Sequence, residues 1–189
     1  MEKRTFETER LILRPWEESD AEELYIYAKD PAVGPICGWQ THTSVEQSRE
    51  VIRTILSEPE TYAVVLKETG KPVGSIGLML GGRSNAKLPE NEAEIGFWIG
   101  VPYQGRGLIP EAVRRLLRYA FEELKVETVW CGHFDGNEKS RRVQEKCGFT
   151  YVRTLENVDW PALGKTVTEH ISKLTREEWE RLQKQHNRA

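Results

Sequence analysis

Cysteine is scarce: Cys37, Cys131 and Cys147 are the only three in 189 residues, an odd number at wide spacing. That fits neither a disulfide framework nor the clustered ligands of a structural zinc site, so all three read as free thiols. Long apolar runs are missing as well. No stretch approaches the ~20 residues that cross a bilayer, and the opening MEKRTFETERL has no apolar signal core, so the expected compartment is the cytoplasm. Charge of one sign is nowhere concentrated. The 27 basic and 30 acidic residues are scattered to a net charge of -3, with no basic tract to neutralise a nucleic-acid backbone. The four histidines fall at no ligand spacing, and no metal is expected. Repeats, low-complexity tracts and Pro/Ser-rich linkers are also lacking, and the length suits one domain spanning residues 1–189.

What is present is an alternation of strand and helix signals. ERLILRPW reads as a first strand, and Ser19 with Glu22 reads as a capping box opening a helix. Ser44 with Gln47 makes a second box, ahead of Val51, Ile52, Ile55 and Leu56 at helical spacing. YAVVLKETGKPVGSIGLML is two strand-like runs joined by a turn. In EAEIGFWIG the alternation sets Ala93, Ile95, Phe97 and Ile99 on one face, and Glu92, Glu94, Gly96 and Trp98 on the other. An amphipathic helix follows, then strand, short helix and two more strands, and a last helix opened by Thr175 with Glu178. The expected fold is α/β (α+β): a central mixed, mostly antiparallel, twisted sheet flanked by helices.

The junction GVPYQGRGLIPEA puts glycines between a strand and a helix, which allows a tight turn and close approach of a ligand to the backbone. The unpaired amides and positive dipole end of the helix suit an anion such as a phosphate. A nucleotide-hydrolysing loop is excluded, because Gly-Lys followed by Ser or Thr is absent. A dinucleotide fingerprint is excluded too, since no glycine stands at the third place of its GxGxxG spacing counted from Gly105. Plain turn chemistry remains the alternative for the loop taken alone.

Two motifs together carry a resemblance. QGRGLIPEA resembles the phosphate loop of the GNAT acetyltransferases, which bind acetyl-CoA and acetylate amines; Gln104 and Gly107 match, and Ile109 stands where that family has a small residue. NEKSRRVQEKCGF resembles the family's second motif, with Asn137, Ser140, Gly148 and Phe149 at its offsets. The opening FETERLILRPWEESDAEELY and the closing SKLTREEW further resemble the RimJ/RimL branch, which acetylates protein N-terminal amines, notably on ribosomal proteins. The resemblance covers nearly the whole chain and implies an acyltransferase of the GNAT fold. It assigns the acetyl-CoA site to Ile99, Gly100, Val101, Gln104, Gly105, Arg106, Gly107, Leu108, Ile109, Asn137 and Ser140. A small-molecule amine (polyamine, amino acid or antibiotic) is the alternative acceptor, and a CoA-binding protein without turnover is the rival from another class.

Acyl transfer from a thioester to an amine needs a free amine, a polarised carbonyl and a proton for the leaving thiolate. An α-amine with a pKa near 8 is easier to deprotonate at neutral pH than a lysine near 10.4, by roughly 3 to 4 kcal/mol. Glu92 and Glu94 share a strand face just before the glycine loop and are the candidate bases, provided that burial or a neighbouring charge raises their proton affinity. The resemblance favours Glu94; a solvated glutamate pair is the bland reading. A backbone amide around Ile99 to Val101 can polarise the carbonyl. Where much of the family has a tyrosine as acid, this chain has Gln144, and Ser140 matches the serine given that duty in RimL-like enzymes. Asn137 either orients the pantetheine arm or caps its helix. Trp39 and His42, in a glycine-flanked loop, are candidates to line the acceptor pocket together with Glu94.

Overall fold

The computed structural model describes residues 4–84 and 86–186. β1 (Phe6–Glu7) and β2 (Leu11–Arg14) form a short hairpin, so the expected first strand is the second of a pair. Thr8 closes the turn, its N–H donating to Leu11 O and its Oγ1 accepting from Leu11 N–H, both at 3.0 Å. α1 (Ala21–Ala28) is not opened by Ser19. A 3-10 turn over Glu18–Asp20 precedes it, in which Glu17 N–H donates to Asp20 Oδ2 at 3.0 Å. Arg14 donates to both Asp20 carboxylate oxygens at 2.7 and 2.8 Å. The helical turn therefore starts at Glu18 with Ser19 inside it rather than at its cap, and Ser19 Oγ reaches only Glu17, at 3.4 Å.

α2 (Val45–Thr54) opens as its sequence predicts: Ser44 Oγ accepts from Gln47 N–H at 3.0 Å, while Gln47 Oε1 accepts from Thr43 N–H at 2.7 Å. Its apolar stripe is only partly used, with Ile52 buried and Ile55, just past the last turn, exposed. β3 (Thr61–Leu66) and β4 (Lys71–Leu80) form the expected hairpin. They are followed by β5 (Glu92–Ile99), α3 (Leu108–Glu122), β6 (Thr128–Phe134) and α4 (Glu138–Lys146). β7 (Thr150–Trp160), β8 (Lys165–Thr175) and α5 (Arg176–His186) complete the described chain. α5 opens on the expected box, Thr175 N–H donating to Glu178 Oε2 at 2.8 Å.

The strands hydrogen-bond in the order β1-β2-β3-β4-β5-β6-β8-β7. β5 and β6 run parallel; β1–β2, β2–β3, β3–β4 and β6–β8 pair antiparallel, which makes the sheet mixed as expected. The parallel register aligns Glu92 to Glu94 with Thr128 to Trp130 and ends there. None of the described helices is long and apolar enough to cross a membrane.

Contacts divide the chain into two compact units. The first comprises Met1–Gly77, Phe97–Arg115 and Trp160–Lys165. Its centre packs Trp16, Leu24 and Ala28 of the N-terminal helical segment, with Ile52 of α2, onto Ala63 and Val65 of β3. The second comprises Leu78–Gly96, Leu116–Asp159 and Thr166–Ala189. There Leu116, Leu117 and Phe121 of α3 are buried, as are Val129 and Leu174, and the Phe121 ring meets Trp179 of α5 at 5.3 Å. Within this second unit the Gly148-Phe149 pair ends α4. Gly148 adopts a positive φ of 89°, its N–H donates to Glu145 O, and Phe149 N–H donates to Gln144 O, a Schellman stop that only glycine makes without strain. A Cβ on Gly148 would also fall 2.3 Å from Leu182 of α5.

Candidate active site

The glycine loop belongs to the first unit. Gly105 and Gly107 hold φ at 74° and 75°, the left-handed region that side chains avoid. A Cβ built at Gly105 would meet nothing within 4 Å, and one at Gly107 only Arg10 Nη2 at 3.5 Å, so the backbone there lies open. α3 begins at Leu108; the Leu108 and Ile109 amides have no partner one turn earlier within the helix, Pro110 has no N–H, and Glu111 N–H donates to Gly107 O at 3.3 Å. Leu108 and Ile109 turn their side chains into the core. Ile109, which breaks the small-residue pattern, therefore fills apolar space. Gln104 Nε2 donates to Ile99 O at 3.3 Å and braces the loop from within. The Gly100 amide donates to Val73 O at 2.8 Å, so of the amides expected to polarise a carbonyl this one is already engaged.

What secures the loop was not apparent in the sequence. Glu111, in the first turn of α3, accepts from Thr8 Oγ1 at 2.6 Å, Arg10 N–H at 2.8 Å and Arg10 Nε at 2.7 Å, while Arg10 Nη1 donates to Arg106 O at 2.8 Å. Burial pushes the Glu111 carboxyl up, but the bonds from Thr8 and Arg10 outweigh it and hold the carboxyl below its ordinary range. The stretch FETERL, legible only as part of a family pattern, thus clamps the loop onto its helix.

The carboxylates lie in the second unit. Glu94 is mostly buried, which pushes its carboxyl above the ordinary range, partly countered by a hydrogen bond from Ser84 Oγ at 2.5 Å. Glu92, on the same strand face, accepts from Trp130 Nε1 at 2.6 Å. The two candidate bases therefore differ: Glu94 has the buried, proton-retaining environment that a general base at neutral pH requires, whereas Glu92 is tied to an indole. Glu169 of β8 is a third carboxyl on this face that sequence reasoning missed, pushed up by burial and by the charge of Glu94. An acid at an alternating position in TVTEHISKL was its only signal.

α4 carries the remaining predicted groups. Asn137 Oδ1 accepts from Ser140 N–H at 3.2 Å, so it caps the helix. Ser140 Oγ accepts from Gln144 Nε2 at 3.3 Å, and the same nitrogen lies 3.4 Å from Gly132 O. Gln144 is buried, interacts with the His133 ring, and has no partner within hydrogen-bond distance of its Oε1 among the described residues. The glutamine that replaces a tyrosine thus occupies the interior behind Ser140. Cys131 is fully buried, and loss of solvent pushes its thiol well above the ordinary range.

In the first unit, Trp39 packs edge-on against Trp98 at 5.7 Å and near His42 at 5.5 Å. His42 is buried, with Nδ1 2.8 Å from Ser48 Oγ of α2, and burial pushes its pKa down, so the ring is neutral. Trp160 joins this loop by donating from Nε1 to Gly38 O at 2.7 Å, a contact with no sequence signal. Among the described residues no cluster of His, Cys, Asp and Glu has the arrangement of a metal site.

Comparison with known proteins adds to the geometry. The profile of a family described as an acetyltransferase (GNAT) domain matches residues 10–150. Among curated relatives, the uncharacterised N-acetyltransferase p20 of Bacillus licheniformis is 28% identical over 180 residues, 93% of this chain and 98% of that protein. YdaF of Bacillus subtilis, provisionally named a ribosomal N-acetyltransferase, is 50% identical over 65 residues, 34% of this chain and 36% of that protein. Among solved structures, the microcin C7 self-immunity acetyltransferase MccE, in complex with acetyl-CoA and AMP, superposes with a TM-score of 0.72 at 18% identity, covering 89% of this chain and 93% of that one, a likeness of fold.

Proposed function

The chain belongs to the GNAT acetyltransferases, and from that premise we propose that it moves the acetyl group of acetyl-CoA to a protein N-terminal α-amine, as a single cytoplasmic catalytic domain of the RimJ/RimL type. The observation that carries the reading is Glu94, a buried carboxyl whose proton affinity is raised and which a single hydroxyl, Ser84, holds in place. A base of that kind can take the proton of an α-amine near pKa 8, whereas a lysine near 10.4 asks for a stronger one. The provisional name of YdaF supports the same acceptor class.

The residues fit the cosubstrate. The open, positive-φ backbone at Gly105 and Gly107 and the first-turn amides of α3 suit a pyrophosphate, and Gln104, Arg106 and Leu108 complete that loop. Arg10 and Glu111 hold it rigid from behind. In the transfer, the amine nitrogen forms its bond to the thioester carbonyl carbon, Glu94 takes the proton that the nitrogen loses, and the carbon–sulfur bond breaks. The Ser140 hydroxyl donates to the departing sulfur, held toward its task by Gln144 Nε2. Backbone amides at Ile99 and Val101 remain the candidates to polarise the carbonyl.

The experiment is thiol release from acetyl-CoA with two sets of acceptors: short peptides with free N-termini, beside the same peptides N-terminally blocked but carrying lysine, and a panel of polyamines, amino acids and aminoglycosides. Turnover on free N-termini and none on blocked ones is expected. Turnover confined to the small molecules would replace the acceptor class, and acetyl-CoA binding without turnover on any amine would replace the enzymatic reading.

A further inference from the structure

In the second unit the strand register lines residues up in rows across β5, β6 and β8. Ala93, Val129 and Leu174 make one row, and Glu94, Trp130 and Lys173 make the next, on the opposite face. The first row is fully buried, whereas all three residues of the second are half-buried, so the face that carries Glu94 stays partly open to solvent. Trp130 stands at the centre of that open row. Glu92 fixes its indole by accepting from Nε1 at 2.6 Å. Lys173 Nζ lies 5.6 Å from the ring centroid, and the guanidinium of Arg153, an exposed residue of β7, lies 5.9 Å from it. Arginines elsewhere, such as Arg14, Arg53 and Arg141, meet carboxylates. Among the described residues Lys173 and Arg153 form no ion pair, with Glu92, Glu94 and Glu169 or with any other acid. Glu169 lies instead over Gly132, where a Cβ would fall 2.2 Å from its Oε1. The charge of the two cations is therefore available to a ligand.

We propose that Trp130, Lys173 and Arg153 receive the acceptor polypeptide behind its amine, and that the two cations select an N-terminus with an acidic residue among its first few positions. The inference rests on the reading of the acceptor as a protein N-terminus whose amine meets Glu94. The Trp130 backbone lies one strand spacing, about 4.8 Å, from that of Glu94, its direct partner in the register. Cations gathered at its ring are thus roughly 5 to 10 Å from the base, the span of about two or three residues of extended chain at ~3.3 Å each. The chemistry suits a carboxylate: a guanidinium grips one through two parallel N–H bonds, an ammonium adds a point charge, and the indole offers a flat apolar rest for the peptide between them. Because the pairs form at a partly exposed face, they contribute selectivity more than raw affinity, and salt screens them.

The test is thiol release with free-N-terminus peptides that differ at one position, aspartate against asparagine at the second, third and fourth residues in turn. The enzymes are the parent, Arg153→Gln, Lys173→Gln and the charge reversal Arg153→Glu with Lys173→Glu, each checked for native folding. In the parent at low salt, KM should be about 3- to 10-fold lower for the best-placed aspartate peptide than for its asparagine twin, with similar kcat, and the gap should close as salt is raised. Each glutamine variant should narrow the gap. The reversal should invert it and favour an arginine at the same position, with acetyl-CoA affinity held. Equal KM for aspartate and asparagine peptides at every position in the parent overturns the proposal and leaves the acceptor class standing. Weaker acetyl-CoA binding in Arg153→Gln, with the peptide preference intact, would give the cations to the cosubstrate and overturn it as well. If no free-N-terminus peptide turns over at all, the acceptor reading itself fails and the proposal falls with it.

Discussion

The loop at residues 100–109 and the carboxyl face of β5 and β8 are built on opposite plans. The loop works through its main chain: two left-handed glycines and a helix start present amides, and the side chains nearby either turn into the core, as Leu108 and Ile109 do, or brace the backbone, as Gln104 and Arg10 do. The carboxyl face works through side-chain environment. Its backbone is ordinary strand, and Glu94, pushed up by loss of solvent, is held by Ser84 where Glu92 two residues away is held by Trp130. The contrast shows which errors each can tolerate. A main-chain site is indifferent to most substitutions but intolerant of a Cβ where φ is positive, whereas a titrating site is sensitive to single charges that leave the backbone untouched.

The comparison is broken most severely at Glu94. Glu94→Gln should lower kcat at neutral pH by about 10²- to 10⁴-fold and partly recover at high pH, where the amine deprotonates unaided; a stopped thiol assay across pH checks this. The same variant has a stability signature of fixed sign. The native state holds the Glu94 proton to higher pH than the unfolded chain does, so the parent loses stability as pH rises from the unfolded carboxyl value through the raised native one. Glu94→Gln should therefore gain in Tm relative to the parent across that window and keep the gain above it. A Tm difference that ran the other way would mean the buried charge is compensated.

Ser140→Ala comes next, with an expected loss of roughly 10- to 1000-fold in kcat and little change in acetyl-CoA affinity, since the hydroxyl matters as charge develops on sulfur. Gln144→Ala should reproduce a small part of that loss through the missing Nε2 contact, at about 1 kcal/mol or less. Equal effects of the two would recast Ser140 as a packing contact.

On the loop the expected damage is to binding. Gly107→Val imposes a left-handed φ on a β-branched residue, which costs about 1 to 2 kcal/mol of stability, and it puts a side chain where the phosphate approaches. Acetyl-CoA affinity by calorimetry should drop about tenfold or more, with turnover of the loaded enzyme kept. Arg10→Ala is the mildest: about 1 kcal/mol of stability from the lost bonds to Glu111 and Arg106, and a few-fold weaker acetyl-CoA binding. If it proved as damaging as Gly107→Val, the loop would owe its function to its brace rather than to its own backbone.

By itself the sequence determined the elements whose causes are local. The Ser44–Gln47 and Thr175–Glu178 boxes, the β3–β4 hairpin and the two alternating faces of β5 are written in neighbouring residues, and so are the strand-to-helix glycines. The Ser19 box failed for an instructive reason. The helical turn starts earlier, at Glu18, where Asp20 reaches back to the Glu17 amide and is held by Arg14 of β2, so Ser19 falls inside the turn. Only the tertiary structure decided that the Glu94 carboxyl is pushed up, that Glu111 and Arg10 clamp the glycine loop across about a hundred residues of chain, and that Glu169 lies over Gly132. Proton affinity and hydrogen-bond partnership depend on burial and on groups distant in sequence, and neither is specified until the strands have taken their places.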